Sequence, residues 1–442
     1  MASRPDASRF PPGPDGRFDL DIREESFPVI ADLLARFGDV VGVAPRTRSV
    51  PSVLLNHPDA VRRVLGPNYR NYVKGVGRDR VRLLLGDGLI VSDGELWHRQ
   101  RRMMQPAFHQ EVLARLAAVM WECNRELVGR WQAAAKAGHA VDVTRDVARL
   151  TLEIILRCLF GDDLEALRAG PGGDPFEFLT DQAQRDLTTV QRFRAPKSRI
   201  RELAWRRRRE GVSRPDLLGM LLAARDPESG EPMSERQVTD EVTTLIVAGH
   251  ETSAATLAWA WYLLSQNPEA EARLHREVDA VAPEDVGDPE ALRSLAYPRQ
   301  ILDETLRLYP PGWLLSRRAL EADAFGPYAI PAGTDVFIAP YFLHRHAGFW
   351  DAPERFDPDR FEEGAGPAHR FAYIPFGAGP RRCIGNTFAQ AEMQIHVALV
   401  ARNLRLAYAG EGPPGLLPRI NLRSREPLVF RAELRAGGSE TT

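Results

Sequence analysis

The chain has 442 residues, 44% of them hydrophobic, with 58 Lys and Arg against 60 Asp and Glu and a formal net charge of -2. That balance leaves no electrostatic footprint for nucleic acid or a strongly acidic substrate, and the length is large for one core although single domains of this size form. The three cysteines, Cys123, Cys158 and Cys383, are odd in number and far apart with no C-x-x-C pair, which argues against a disulfide framework and for a reducing compartment.

Residues 1–25 are polar and rich in Pro, Asp and Arg, with no apolar leader and no membrane anchor. They are expected to form a flexible arm, stiffened at Pro11-Pro12-Gly13-Pro14, on a soluble, cytoplasmic protein. Residues 26–436 carry no internal repeat or long linker and are expected to form a single domain, with a disordered tail at 437–442. Helical spacing over Phe27–Phe37, strands at Val40–Val43 and Ser52–Leu55 and a helix over His57–Leu65 predict a small β-rich lobe.

Trp97-His98-Arg99-Gln100-Arg101-Arg102 opens a helix ending near Pro106, in which Trp97 and Arg101 share a face. Helical patterns follow over Glu111–Ala135 and Val143–Phe160. Residues 161–215 are uneven, with glycines at Gly170, Gly172 and Gly173 and an arginine run (Arg201, Arg206, Arg207, Arg208, Arg209) that reads as a solvated helix face. Ser234 and Gln237 form a capping box, and the pattern stays helical to Gln266, where Asn267-Pro268 ends it. Roughly 33 residues span about 50 Å. His250 and Glu251 in the middle argue for a buried central helix rather than a membrane span. Leu245, Ala248, Gly249, Thr252 and Thr256 fall on one stripe, where small side chains leave room beside the Thr252 hydroxyl. A mid-helix Thr by default bonds back to its own helix.

Glu304 and Arg307 lie three apart in the helix Ile301–Tyr309, which Pro310-Pro311 stops. Trp313–Arg317 reads as extended, and Tyr328–Ile338 as a hairpin around Pro331-Ala332-Gly333. Last comes Phe376-Gly377-Ala378-Gly379-Pro380-Arg381-Arg382-Cys383-Ile384-Gly385, a glycine-punctuated loop that places a lone cysteine just before an amphipathic helix from about Asn386 to Arg402. The helix dipole and orphan N–H groups there favour a thiolate, a good metal ligand. The chain after Leu404 is strand-like.

The pattern F-x-x-G-x-R-x-C-x-G resembles the haem-binding loop of the cytochrome P-450 family, and four further motifs match that family in order: Trp97-x-x-x-Arg101, Ala248-Gly249-His250-Glu251-Thr252, Glu304-x-x-Arg307 and Pro358-Asp359-Arg360-Phe361. The resemblance covers essentially the whole chain. It implies a mainly α fold with a smaller β-rich lobe, haem b lying between the long central helix and the Cys-loop helix. Cys383 would be the axial thiolate on haem iron, with Phe376 packed by the sulfur. Trp97, Arg101 and Arg317 would hold propionates, Arg318 competing with Arg317, with His98 and Arg381 as neighbours in the cofactor site. Thr252 and Glu251 would deliver protons to the dioxygen side. Glu304, Arg307 and Arg360 would form a buried network, with Arg355 a less favoured third member. Leu245, Ala248, Gly249, Trp313 and Leu314 would line a substrate pocket. Residues 161–215 would include a mobile lid.

The implied activity is a dioxygen-using monooxygenase of secondary metabolism that hydroxylates or epoxidises a hydrophobic small molecule, a terpenoid or a fatty acid, with macrolides and steroids in reserve. Electrons would come from NAD(P)H through a separate ferredoxin or flavodoxin and its reductase. Arg381, Arg382, Arg99 and Arg102 would offer an acidic donor a positive patch, and the enzyme would act as a monomer without nucleic acid. A peroxide-driven peroxygenase and a haem-thiolate sensor are the rivals.

Overall fold

The structure, a computed structural model, describes residues 9–169, 173–180, 187–211, 214–282, 285 and 288–435. The expected tail 437–442 lies outside them. The chain is mostly helical with a smaller β-rich part. The helices that matter for the site are α1 (Ser26–Phe37), α2 (Pro58–Leu65), α3 (Gly94–Met104), α4 (Gln110–Lys136), α5 (Val143–Phe160), α6 (Arg194–Glu210), α7 (Glu235–Gln266), α8 (Ala296–Leu308) and α9 (Asn386–Asn403). No described helix is long and apolar enough to cross a membrane.

The described residues group into two compact units. One comprises Met1–Asp79, Asp303–Cys383 and Gly415–Arg425. Its centre is a five-stranded sheet in the order β1 (Val40–Val43), β2 (Ser52–Leu55), β5 (Asp335–Ile338), β4 (Leu315–Ala319), β3 (Tyr72–Lys74). Only β2 and β5 run parallel, in register Ser52 with Asp335 through Leu55 with Ile338. β2 and β5 are buried along their whole length, and Val, Leu, Ile and Phe fill most of those positions, as expected for strands covered on both faces.

Two expectations are corrected here. The chain is packed from Arg9 onward, not loose to residue 25: Gly42 N–H donates to Pro12 C=O, Phe18 N–H donates to Ala44 C=O, and Leu20 is fully buried. The stretch Tyr328–Ile338 is not one hairpin. Tyr328–Ile330 pairs with Asp323–Phe325, whereas Asp335–Ile338 joins the large sheet. The Pro331–Gly333 turn is present, with Gly333 at φ 81°, but it hands the chain from one sheet to another.

The second unit comprises Arg80–Leu302, Ile384–Pro414 and Glu426–Thr442. At its centre, α7 packs against α5, α6 and α9. Its start is fixed by the reciprocal capping box read in the sequence: Gln237 N–H donates to Ser234 Oγ at 3.2 Å, and Ser234 N–H to Gln237 Oε1 at 2.8 Å. Apolar cover on several sides explains why α7 carries no polar face along most of its length.

Candidate active site

The Cys383 loop is built by backbone rules. Cys383 N–H donates to Phe376 C=O at 2.9 Å, and Arg382 N–H to Gly379 C=O at 3.1 Å. Gly379 is irreplaceable on two counts: its φ is 68°, and a Cβ there would stand 1.8 Å from Leu65 C=O at the end of α2. Closed in this way, the loop holds Cys383 exposed, while Cys123 and Cys158 are buried. α9 begins three residues later, with Gly385 as its N-cap. Phe376 and Arg381 are half-buried and Arg382 is exposed.

The Glu304–Arg307 pair is fully buried. All five guanidinium N–H groups of Arg307 are used. Nε and Nη2 donate to the two Glu304 oxygens at 2.6 and 2.7 Å. Nη1 donates to His344 C=O at 3.0 Å and Pro353 C=O at 2.6 Å, and Nη2 also to Arg355 C=O at 3.0 Å. Glu304 further accepts from Asp357 N–H at 2.9 Å and lies 3.5 Å from Arg360 Nε. Burial raises the Glu304 carboxyl above its ordinary range, against the pull of Arg307, Asp357 N–H and Arg360. Arg360 is thus the third side chain; Arg355 contributes its carbonyl and turns its guanidinium to Asp357.

His344 was not legible in the sequence. Fully buried, it sets Nδ1 3.3 Å from Arg307 C=O and accepts from Ile374 N–H through Nε2 at 2.9 Å. Burial, reinforced by the Arg307 charge, lowers its pKa to about 3, so it is a neutral strut between α8 and the residues leading into the Cys383 loop.

On α7 the cover thins in one place. Residues are buried from Val238 to Ile246 and from Ser253 to Trp261, but Val247, Ala248, Gly249, Glu251 and Thr252 are only partly so. Thr252 Oγ1 donates to Ala248 C=O at 2.9 Å, which leaves its oxygen to accept. A Cβ on Gly249 would stand 3.2 Å from Ile155 Cγ1, so this glycine lets α5 approach α7. Leu245 is buried.

On α3, Trp97 is buried with its ring 4.8 Å from that of His98, and Arg101 is half-buried. Arg99 and Arg102 are ion-paired: they lie 3.4 Å from the two oxygens of Asp226, and Arg102 lies 2.9 Å from Glu228. In the sheet, Arg318 is directly across from Asp335 and donates to it at 2.8 and 3.2 Å. Strand alternation sends Arg317 to the other face, which favours Arg317 over Arg318 as a ligand for an acidic group. Trp313 does not line an open pocket. It is fully buried among Leu20, Ile30, Leu33 and Leu54, with its N–H donating to Arg419 C=O at 2.6 Å, and Leu314 belongs to the same core.

Among the described residues no three His, Cys, Asp or Glu side chains gather as a metal site. A metal at Cys383 would bring its other ligands with it, as a macrocycle does. The exposed soft thiol at a helix start, in a loop whose glycines allow close approach, fits haem iron.

The family model for cytochrome P450 matches residues 18–171 and 173–427. The chain is 36% identical over 397 residues to cyclooctatin synthase of Streptomyces melanosporofaciens, covering 84% of each chain. It is 34% identical over 390 residues to cyclooctat-9-en-7-ol 5-monooxygenase of the same organism, covering 84% of this chain and 83% of that one. A crystal structure of the cytochrome P450DA heme domain matches with a TM-score of 0.85 and 27% identity, covering 97% of each chain.

Proposed function

The chain belongs to the cytochrome P450 family, whose members are haem-dependent monooxygenases, and on that premise we propose that it inserts one atom of dioxygen into a hydrophobic, cyclic terpenoid, using electrons from a separate ferredoxin or flavodoxin and its reductase. The observation that carries this reading is the exposed Cys383 in a loop braced by His344 and the saturated Arg307. The substrate class rests on the relatives, one of which is named as acting on cyclooctat-9-en-7-ol, an unsaturated alcohol.

Bound haem supplies the activation of dioxygen and the oxidation of an unactivated C–H bond, chemistry that belongs to the cofactor. Cys383 provides the thiolate and its helix start stabilises the negative charge. By the family resemblance, Trp97, Arg101 and Arg317 would hold the propionates, and His98 and Arg381 would belong to the same cofactor site. Thr252 Oγ1, already donating to Ala248, accepts a hydrogen bond from a proton carrier, and the partly exposed Glu251 carboxylate takes protons from solvent. Ala248, partly exposed on the same stripe as the buried Leu245, would present small apolar surface to the substrate. Of the four arginines expected to face an acidic donor, Arg99 and Arg102 are ion-paired with Asp226.

The test is the spectrum of the ferrous carbon monoxide complex of the wild type beside Cys383→His. A strongly red-shifted Soret band that disappears in the variant is the expected result. An imidazole-like band in the wild type, or no haem uptake, removes the assignment. A lipophilic terpenoid panel screened for a high-spin shift then tests the substrate class.

A further inference from the structure

His250 sits in the turn assigned to proton delivery, and the chemistry above gives it no task. It is fully buried, with Nδ1 2.7 Å from Ile246 C=O and Nε2 3.4 Å from Leu179 C=O. Its own carbonyl, part of the peptide that joins it to Glu251, accepts from a second helix. Thr151 Oγ1 of α5 donates to it at 2.9 Å, and Thr151 is fully buried as well.

Thr239, Thr243, Thr252 and Thr256 of α7 each donate to the carbonyl four residues back in their own helix, at 2.7 to 2.9 Å. Thr151 has the same option in Val147 C=O at 3.0 Å, yet His250 C=O stands at 2.9 Å across the helix packing. A hydroxyl carries one proton. Given to Val147, it satisfies α5 alone; given to His250, it joins two helices. One turn along α5 from Thr151, on the same face, lies Ile155, whose Cγ1 would stand 3.2 Å from a Cβ on Gly249. α5 therefore meets α7 at two adjacent residues, Gly249 and His250, while Ala248, Glu251 and Thr252 beside them are only partly buried.

We propose that Thr151 is a positioning residue for the reaction: by donating its proton to His250 C=O it fixes the His250–Glu251 peptide against α5, and so sets the direction in which Glu251 and the Thr252 hydroxyl are presented. The open side of this turn is left to small or solvent-reaching side chains, so its path is set from behind. A buried hydroxyl between carbonyls of two helices is a rotor with two settings, one that couples the helices and one that does not. The duty of Glu251 and Thr252 rests on the monooxygenase reading; the tie between α5 and α7 does not.

The experiment uses the haem-loaded full chain as wild type, Thr151→Val and Thr151→Ser. Valine keeps the branched shape without the hydroxyl, and serine keeps the hydroxyl. Hydrogen–deuterium exchange follows the α7 segment 248–256, and the infrared C–O stretch of the ferrous carbon monoxide complex reads the surroundings of the bound gas. Thr151→Val should raise exchange by about twofold to about tenfold, the factor that one neutral hydrogen bond carries, and should shift or broaden the C–O stretch. Thr151→Ser should bring both back toward wild type. The proposal is overturned if the valine variant exchanges as the wild type does, or if the serine variant exchanges like the valine variant, which would make the methyl group responsible. It is also overturned if exchange rises while the C–O stretch stays unchanged, since the tie would then be structural only. A wild type without the red-shifted Soret band removes the monooxygenase reading, and exchange then still decides whether the tie exists.

Discussion

Arg307 has every donor engaged, so the effect of changing it can be stated in advance. Removing it leaves the Glu304 carboxylate buried with only Arg360, at 3.5 Å, as a charged partner. Breaking such a pair is expected to destabilise by about 3–5 kcal/mol. Arg307→Ala should lower the thermal midpoint by many degrees and reduce haem retention. Arg307→Lys should be nearly as severe, because a single ammonium cannot reproduce a five-donor fork. A melting curve within a few degrees of wild type would show that the network is not structural. Thr252 makes a different prediction. General acid–base groups contribute about 10²–10⁴-fold, so Thr252→Ala should lose most product formation, at least about tenfold, while electron consumption continues and appears as peroxide. Equal losses of both would instead mean that electron delivery had been damaged.

At the scale of elements, the locally encoded features are those that were legible. The capping box at Ser234 was readable because its partners are three residues apart, and Ser234→Ala should cost about 1 kcal/mol, seen as a shift in denaturation midpoint with an unchanged slope. The Cys383 loop and the Glu304–Arg307 spacing were readable for the same reason. The errors lie where partners are distant in sequence. Arg99 and Arg102 looked free because nothing in the chain announces that Asp226 returns to them. Resemblance alone makes Trp313 a pocket residue, and nothing local announces its bond to Arg419, 106 positions away. The supposed hairpin failed because turn chemistry fixes a bend and not the sheet that the next strand joins. Strand alternation could have separated Arg317 from Arg318 in advance, but only with the pairing of Asp335 known.

For the whole molecule, the fold class was legible in the long helix and the order of the motifs, while the struts joining them were not. Those struts give the protein a pH dependence. His344 and His396 are fully buried with pKa values lowered to about 3, His396 by burial between Trp261 and Asn124. The unfolded chain therefore binds two more protons between about 6.5 and about 3, and stability falls as pH drops through that range, by about 1.4 kcal/mol per unit for each group. Glu392 works in the opposite sense: with its folded pKa raised to about 8, it makes stability fall as pH rises from about 4.5 to about 8. From these three groups, thermal stability should peak near pH 6.5. Glu392→Gln should flatten the alkaline limb and steepen the acid limb between about 4.5 and about 6.5, where Glu392 opposes the two histidines. A scan of melting temperature against pH that peaks at the same point and slopes equally on the alkaline side in both proteins would contradict this assignment.

The carbonyls gathered by Arg307 carry one further consequence. His344, Pro353 and Arg355 contribute only main-chain oxygens to it, and Asp357 offers Glu304 only its N–H. The guanidinium thus measures the path of the loop and is blind to most of its side chains. Apart from Trp350, buried with its ring 5.1 Å from that guanidinium, the exposed residues of 345–357 are free to drift in identity, provided that their number and course are kept. A library in this segment should accept most exposed substitutions yet reject single-residue insertions and deletions, so its tolerance is one of spelling and not of length.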